Sequence, residues 1–132
     1  MHRRLLTLFF CLLAVTAAVP VHAASVTATP PIAVDHPNQG IHCAVTNLGK
    51  VAIDVGVDIV GRTGTVVASA FHPALAPGAT GSAGTASPDI NGFVYCRVTG
   101  FSSDRIHLTA CVTTAAAVAA GTPDCLSLTT AR

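Results

Sequence analysis

Residues 41–60, IHCAVTNLGKVAIDVGVDIV, decide the reading of this chain. Ile41, Cys43 and Val45 alternate with His42, Ala44 and Thr46. After Asn47-Leu48-Gly49-Lys50, the residues Val51, Ile53, Val55, Val57 and Ile59 alternate with Ala52, Asp54, Gly56 and Asp58. A period of two places one set of side chains on each face of a strand. Each run is therefore a strand with an apolar core face that includes Cys43 and a wetter face that includes Asp54 and Asp58. The Asn/Gly turn between the runs reads as the corner of a β-hairpin.

Outward from this stretch the same alphabet continues. Gly61-Arg62-Thr63-Gly64 is a second hairpin loop, with residues 65–71 as the returning strand. Leu75-Ala76-Pro77-Gly78 is a turn in which Pro fixes its own backbone angle and Gly accepts a positive one. Residues 79–87 form a weak strand or an irregular edge, and residues 88–92 (PDING) another turn. Residues 93–99 (FVYCRVT) are a strand with Val94, Cys96 and Val98 toward the core and Phe93, Tyr95 and Arg97 outward. In residues 106–114, Ile106, Leu108, Ala110 and Val112 face inward while His107, Thr109, Cys111 and Thr113 lie on the polar side.

Upstream, residues 24–34 carry Pro30-Pro31, which cannot donate ladder hydrogen bonds, so this segment belongs at a sheet edge. Residues 35–40 (DHPNQG) form a turn. Residues 1–23 read as a signal peptide: a basic MHRR head, an apolar run too short to span a bilayer, and cleavage after Ala23, or after Ala24 as the alternative. Cys11 lies in the middle of the apolar run and not at its end, which argues against a lipoprotein. Residues 24–114 form one β-sandwich domain. Residues 115–132 are a tail tied back by a disulfide: Ala-rich at first, with a helical turn over residues 115–120 as the competing reading, then turning at residues 121–124 and ending in LSLTT as a potential extra strand.

Four cysteines remain after the leader, and parity pairs them. Cys43 and Cys96 occupy apolar faces and meet across the interior. Cys111 faces outward, where the returning tail presents Cys125. In the loop-entropy model these bridges stabilise by about 4 and about 3 kcal/mol. An even cysteine count without CxxC spacing fits disulfides in an exported chain and not a zinc knuckle. About seven short strands with turns between them imply an all-β, antiparallel sandwich with two disulfides.

The chain resembles bacterial exported immunoglobulin-like or fibronectin-III-like modules, and small secreted bacterial proteins of the same pattern. The resemblance rests on Val45-Thr46-Asn47-Leu48-Gly49, the strand at residues 51–59, the Leu75-Ala76-Pro77-Gly78 turn and Tyr95-Cys96-Arg97-Val98. It covers residues 26–114 and implies a fold, with no catalytic residue to carry over. Two departures stand out: the chain has no Trp to pack on the inter-sheet bridge, and Tyr95 is adjacent to the second cysteine where the corner tyrosine precedes it by two.

Chemistry is sparse. Without the leader, five cations against six aspartates leave a charge of −1, which disfavours nucleic-acid or anionic-membrane binding driven by charge. His36, His42, His72 and His107 form no His-x-His or His-x-x-x-His pair and read as surface residues, so no metal or cofactor is expected. Asp54 and Asp58 share a face about 13 Å apart, too far for a carboxylate pair. Asp35, Asp89 and Asp104 read as turn residues, where a loop calcium site would need a spaced acidic run that the chain lacks. Ser69, Ser82, Ser87, Ser102, Ser103 and Ser127 include no Gly-x-Ser-x-Gly elbow, so no enzyme is expected. The candidate contact surface is Phe93, Tyr95 and Arg97, whose types anchor interfaces. The expectation is a secreted or periplasmic, non-catalytic interaction module for an envelope or extracellular protein, the alternative being a small-ligand or carbohydrate-binding accessory domain.

Overall fold

The computed structural model describes residues 25–35, 37–101, 105–122 and 124–131. The expected leader, His36, Ser102, Ser103, Asp104 and Arg132 lie outside them. Among the described residues the fold is all-β, with nine strands in two antiparallel sheets. They are β1 (Ser25–Ala28), β2 (Ile32–Val34), β3 (Gln39–Asn47), β4 (Ile53–Val60), β5 (Val66–Leu75), β6 (Thr80–Thr85), β7 (Gly92–Phe101), β8 (Ile106–Thr114) and β9 (Ser127–Ala131). A helical turn α1 (Ala115–Ala120) follows β8. One sheet runs β1-β7-β4-β5 with β2 also on β7, and the other runs β6-β3-β8-β9.

The core lies between the inner faces, and the alternation read from the sequence identifies those faces correctly except at Val51, expected on the core face but lying before β4 in the corner and 67% exposed. Ile41, Cys43 and Val45 of β3 are buried against Val55, Val57 and Ile59 of β4, Val94, Cys96 and Val98 of β7, and Leu108, Ala110 and Val112 of β8. Cys43 and Cys96 bridge the two sheets, and Cys111 and Cys125 tie β8 to the tail.

The hairpin expected over residues 41–60 does not form. β3 pairs with β6 and β8, whereas β4 pairs with β5 and β7, so the two strands stand in opposite sheets. The connection is a corner organised by Asn47, which is fully buried. Its Nδ2 donates to the Val51 carbonyl at 2.8 Å and to the Leu75 carbonyl at 2.9 Å, and its Oδ1 accepts from the Gly49 N–H at 2.8 Å. Its main chain engages residues 78–79: Gly78 N–H donates to the Asn47 carbonyl and Asn47 N–H to the Ala79 carbonyl. One side chain thus holds together the ends of β3 and β5 and the start of β4. The hairpin expected at residues 61–64 does form, joining β4 and β5.

Pro30 and Pro31 separate β1 from β2 at the edge of their sheet, as the missing N–H groups require. Thr29 bridges the interruption: its N–H donates to the Cys96 carbonyl at 2.9 Å, and its Oγ1 accepts from the Cys96 N–H at 3.1 Å. In immunoglobulin domains the last strand lies beside the one before it. Here β8 lies beside β3, and β1 with β2 occupies the place beside β7.

Both readings of the tail hold, each over its own residues. Thr114 caps α1 through Oγ1, which accepts from the Ala117 N–H, and Gly121 closes it in a left-handed conformation. β9 then adds an edge strand to β8.

Candidate functional site

Outside the core the two sheets present different faces. On the four-stranded sheet the tail covers one end. Val118 of α1 sits over Gly40 and Gly84, and a Cβ on Gly40 would come within 2.7 Å of the Val118 Cγ2. Cys111 and Thr113, on the outward side of β8, are buried there. The rest of this face is mostly polar, with Thr46 and Thr80 hydroxyls 2.9 Å apart, but Leu128 of β9, in register with Cys111, stands 58% exposed on it.

The outer face of the five-stranded sheet carries the expected contact residues. Register places Ala28, Arg97, Asp58 and Ser69 in one row across β1, β7, β4 and β5, and Thr99, Gly56 and Phe71 in the next. Tyr95, Val60 and Val66 make a third row, and Phe93 lies opposite Ala33 of β2. Phe93 is 64% exposed, Tyr95 half-buried and Val60 fully buried. Phe93, Tyr95 and Arg97 therefore share a face, successive residues of the three being about 7 Å apart along β7.

Two features of this face escaped the sequence reading. Arg97 is ion-paired: Asp58 Oδ2 accepts from Nη2 at 2.8 Å and from Nε at 3.2 Å. A half-exposed pair of this kind adds about 0–1 kcal/mol. Its effect is to hold the guanidinium against Asp58 of β4 and offset its charge. The second feature is Phe71 on β5, 66% exposed and opposite Gly56. The parity of the β4–β5 hairpin was the signal that would have placed it on this face. Phe71 and Phe93 bracket the Arg97–Asp58 pair from opposite corners.

The remaining candidates do not converge. His42 pairs with Cys111 and His107 with Thr46, so the two histidines share the outer face of the four-stranded sheet about 13 Å apart. Burial holds the His42 imidazole below its usual value. His72 is not the surface residue expected: it is half-buried, its Nε2 lies 3.1 Å from the Ser82 carbonyl, and its ring fills the space above Gly81. The β5–β6 contact is possible there because Gly81 has no side chain. Asp54 Oδ1 accepts from the Ala74 N–H at 2.7 Å, and Ala74 adopts φ 50°. Asp54 thus fixes a strained turn in β5. Ser87 caps the short 3-10 turn at Pro88–Ile90 through Oγ, which accepts from the Asp89 N–H. Among the described residues no three His, Cys, Asp or Glu side chains gather in a metal-binding arrangement.

A cavity of about 540 Å³ opens at the end of the sandwich where the β4–β5 loop meets residues 88–91, lined by Arg62, Thr63, Thr65, Val66, Val67, Pro88, Asp89 and Asn91. None of these residues was singled out from the sequence as a binding residue. Among the described residues no helix is long and apolar enough to cross a membrane. No family model, no curated protein and no solved structure matches the chain.

Proposed function

We propose that this chain is an exported, non-catalytic binding module, and that its contact surface is the outer face of the five-stranded sheet. The observation that carries this reading is the exposure of Phe71 and Phe93 on a face that the tail leaves uncovered. Each exposed ring holds a large apolar area in water that a partner would remove, at about 25 cal/mol per Å². Tyr95 and the Arg97–Asp58 pair supply hydrogen-bonding groups between the rings. The pair is already formed, so its side-chain ordering precedes binding. Two disulfides and the expected leader support an oxidising destination, the periplasm or the medium, and an envelope or extracellular protein as the partner. The kinship with immunoglobulin-like modules draws support from the Cys43–Cys96 bridge and from the β3–β6 and β4–β7 pairs, while the position of β8 sets this chain apart.

A photo-crosslinking residue at Phe93 or Phe71, compared with one at Thr80 on the opposite sheet, tests the surface in the exporting cell. Adducts to one protein from both phenylalanine positions and none from Thr80, weakened by Tyr95→Ala with Arg97→Ala, are the expected result. Equal adducts from Thr80, or none from either phenylalanine, would remove the proposed surface.

A carbohydrate-binding accessory domain is the second reading. It is favoured by the exposed aromatic rings, whose flat faces suit the C–H faces of sugars.

A further inference from the structure

We infer that the cavity between the β4–β5 loop and residues 88–91 is a binding site for a neutral saccharide unit. This inference deepens the second reading above; the cavity lining shares Val66 with the edge of the proposed protein-contact face, and none of Phe71, Phe93, Tyr95 or Arg97 belongs to it.

Its walls are built in advance. On one side, Gly61 N–H donates to the Thr65 carbonyl and Gly64 N–H to the Gly61 carbonyl, both at 2.9 Å, closing the loop upon itself. On the other, Ile90 N–H donates to the Ser87 carbonyl and Asn91 N–H to the Pro88 carbonyl, while the fully buried Ile90 side chain anchors the turn in the core. The Arg62 stem passes beside Gly92, whose φ is 104° and whose missing Cβ would lie 3.7 Å from the Arg62 Cδ. A pocket framed by two hydrogen-bonded turns loses little freedom when a ligand enters.

The lining selects the ligand class. Val66, Val67 and Pro88 supply apolar surface, while Arg62, Thr63, Thr65, Asp89 and Asn91 supply donors and acceptors of both kinds. Arg62 forms no ion pair or hydrogen bond among the described residues, and Asp89 uses Oδ2 to accept from Ser87 Oγ at 3.4 Å. Charges of both signs line one space, so an anion meets Asp89 and a cation meets Arg62. A neutral polyol, whose hydroxyls both donate and accept, satisfies both. The volume falls within the range of small-ligand sites. Phe93, exposed and two residues beyond Asn91, offers an adjacent ring to a second sugar residue.

The test is a titration of the isotope-labelled, fully oxidised protein, followed by amide NMR, with neutral trisaccharides of glucose, mannose and N-acetylglucosamine. Trigalacturonate and the glucosamine trimer are the charged counterparts. The expected result is saturable shifts for residues 61–67 and 88–92 with at least one neutral trisaccharide. Arg62→Ala and Asn91→Ala should each weaken binding about tenfold, the loss of one hydrogen bond to a charged or polar group. Lys50→Ala, in the corner after β3, should leave it unchanged. Both test side chains are exposed, so an unaltered spectrum of the free variants certifies their fold. No saturable shift with any neutral trisaccharide would overturn the inference. So would tighter binding of a charged trimer, or binding unaffected by Arg62→Ala. Loss of cross-linking at Phe71 and Phe93 would leave this result untouched, so the two proposals fail separately.

Discussion

Replacing Asn47 by Ala removes three hydrogen bonds at once, those to the Val51 and Leu75 carbonyls and that from the Gly49 N–H. Val51 is exposed and Gly49 half-exposed, so water replaces much of what those two lose. Each should cost about 0.5–1 kcal/mol. The Leu75 carbonyl belongs to a buried residue and its bond is fully enclosed. Leaving it unpaired costs about 1–3 kcal/mol. The expected loss is about 3 kcal/mol, which shifts the thermal midpoint of a domain of this size by roughly 10 °C or more. Asn47→Asp adds a sign. A carboxylate would face two carbonyl oxygens, while the protonated acid still donates to one, so the folded state raises the pKa of the new group above its unfolded value of about 3.9. Its stability is then fullest below the unfolded value and is lost as pH rises through the folded one, opposite to an ordinary paired aspartate. Urea unfolding of the oxidised protein, followed by far-ultraviolet circular dichroism at about pH 4 and about pH 7, measures both variants against the parent. A loss below about 1 kcal/mol for Asn47→Ala, or a gap between Asn47→Asp and the parent that does not widen from acid to neutral pH, would refute the corner as described.

Ala74 holds φ 50°, where a Cβ is strained, so Ala74→Gly should raise stability by about 0.5–1 kcal/mol in the same unfolding assay; a loss would mean that the turn draws on the methyl group. Thr113 is fully buried with an Oγ1 that has no hydrogen-bond partner among the described residues, and Thr113→Val should be neutral or stabilising by about 1 kcal/mol, against a loss if the hydroxyl is engaged. The lowered pKa of His42 means that the unfolded chain binds more protons below about pH 6.5. The His42 contribution is present above that value and lost as pH falls through the folded one. His42→Gln should therefore flatten the fall in thermal midpoint between about pH 8 and about pH 5, and an unchanged slope would contradict it.

Face membership is a local property and was legible in the sequence; strand partnership is not and was not. The alternation at Ile53, Val55, Val57 and Ile59 assigned their core face correctly, and the parity of Cys43, Cys96 and Cys111 gave both disulfides. The same alternation says nothing of which sheet a strand joins. Two runs joined by a short polar turn fit a hairpin and an inter-sheet corner equally well until the Asn47 amide finds Leu75, 28 residues away. Arg97 and Asp58 are separated by 39 residues and meet only through the β4–β7 register. His72 looked like a surface residue because its burial depends on Gly81 in a strand of the other sheet.

The candidate site follows from the same distinction. Phe93, Tyr95 and Arg97 were legible as one outward face of a strand, but whether anything covers that face depends on where the tail goes. Glycines decide it. Gly40 and Gly84 leave a depression on the four-stranded sheet that Val118 fills, and the Cys111–Cys125 bridge holds the following segment to the same sheet. On the five-stranded sheet the outward glycine is Gly56, where a Cβ would meet Thr99 Oγ1 at 3.0 Å, and its row carries Phe71 and no segment of the tail. A Cβ at Gly40 would meet both Val118 and the Thr85 carbonyl, at 2.7 and 2.9 Å, so bulk there should disturb α1 and the end of β6 and leave the Phe71–Phe93 face, on the other sheet, unaltered. The tail's choice of sheet is what leaves those two rings in water, and the functional reading depends more on that choice than on any single residue of the face.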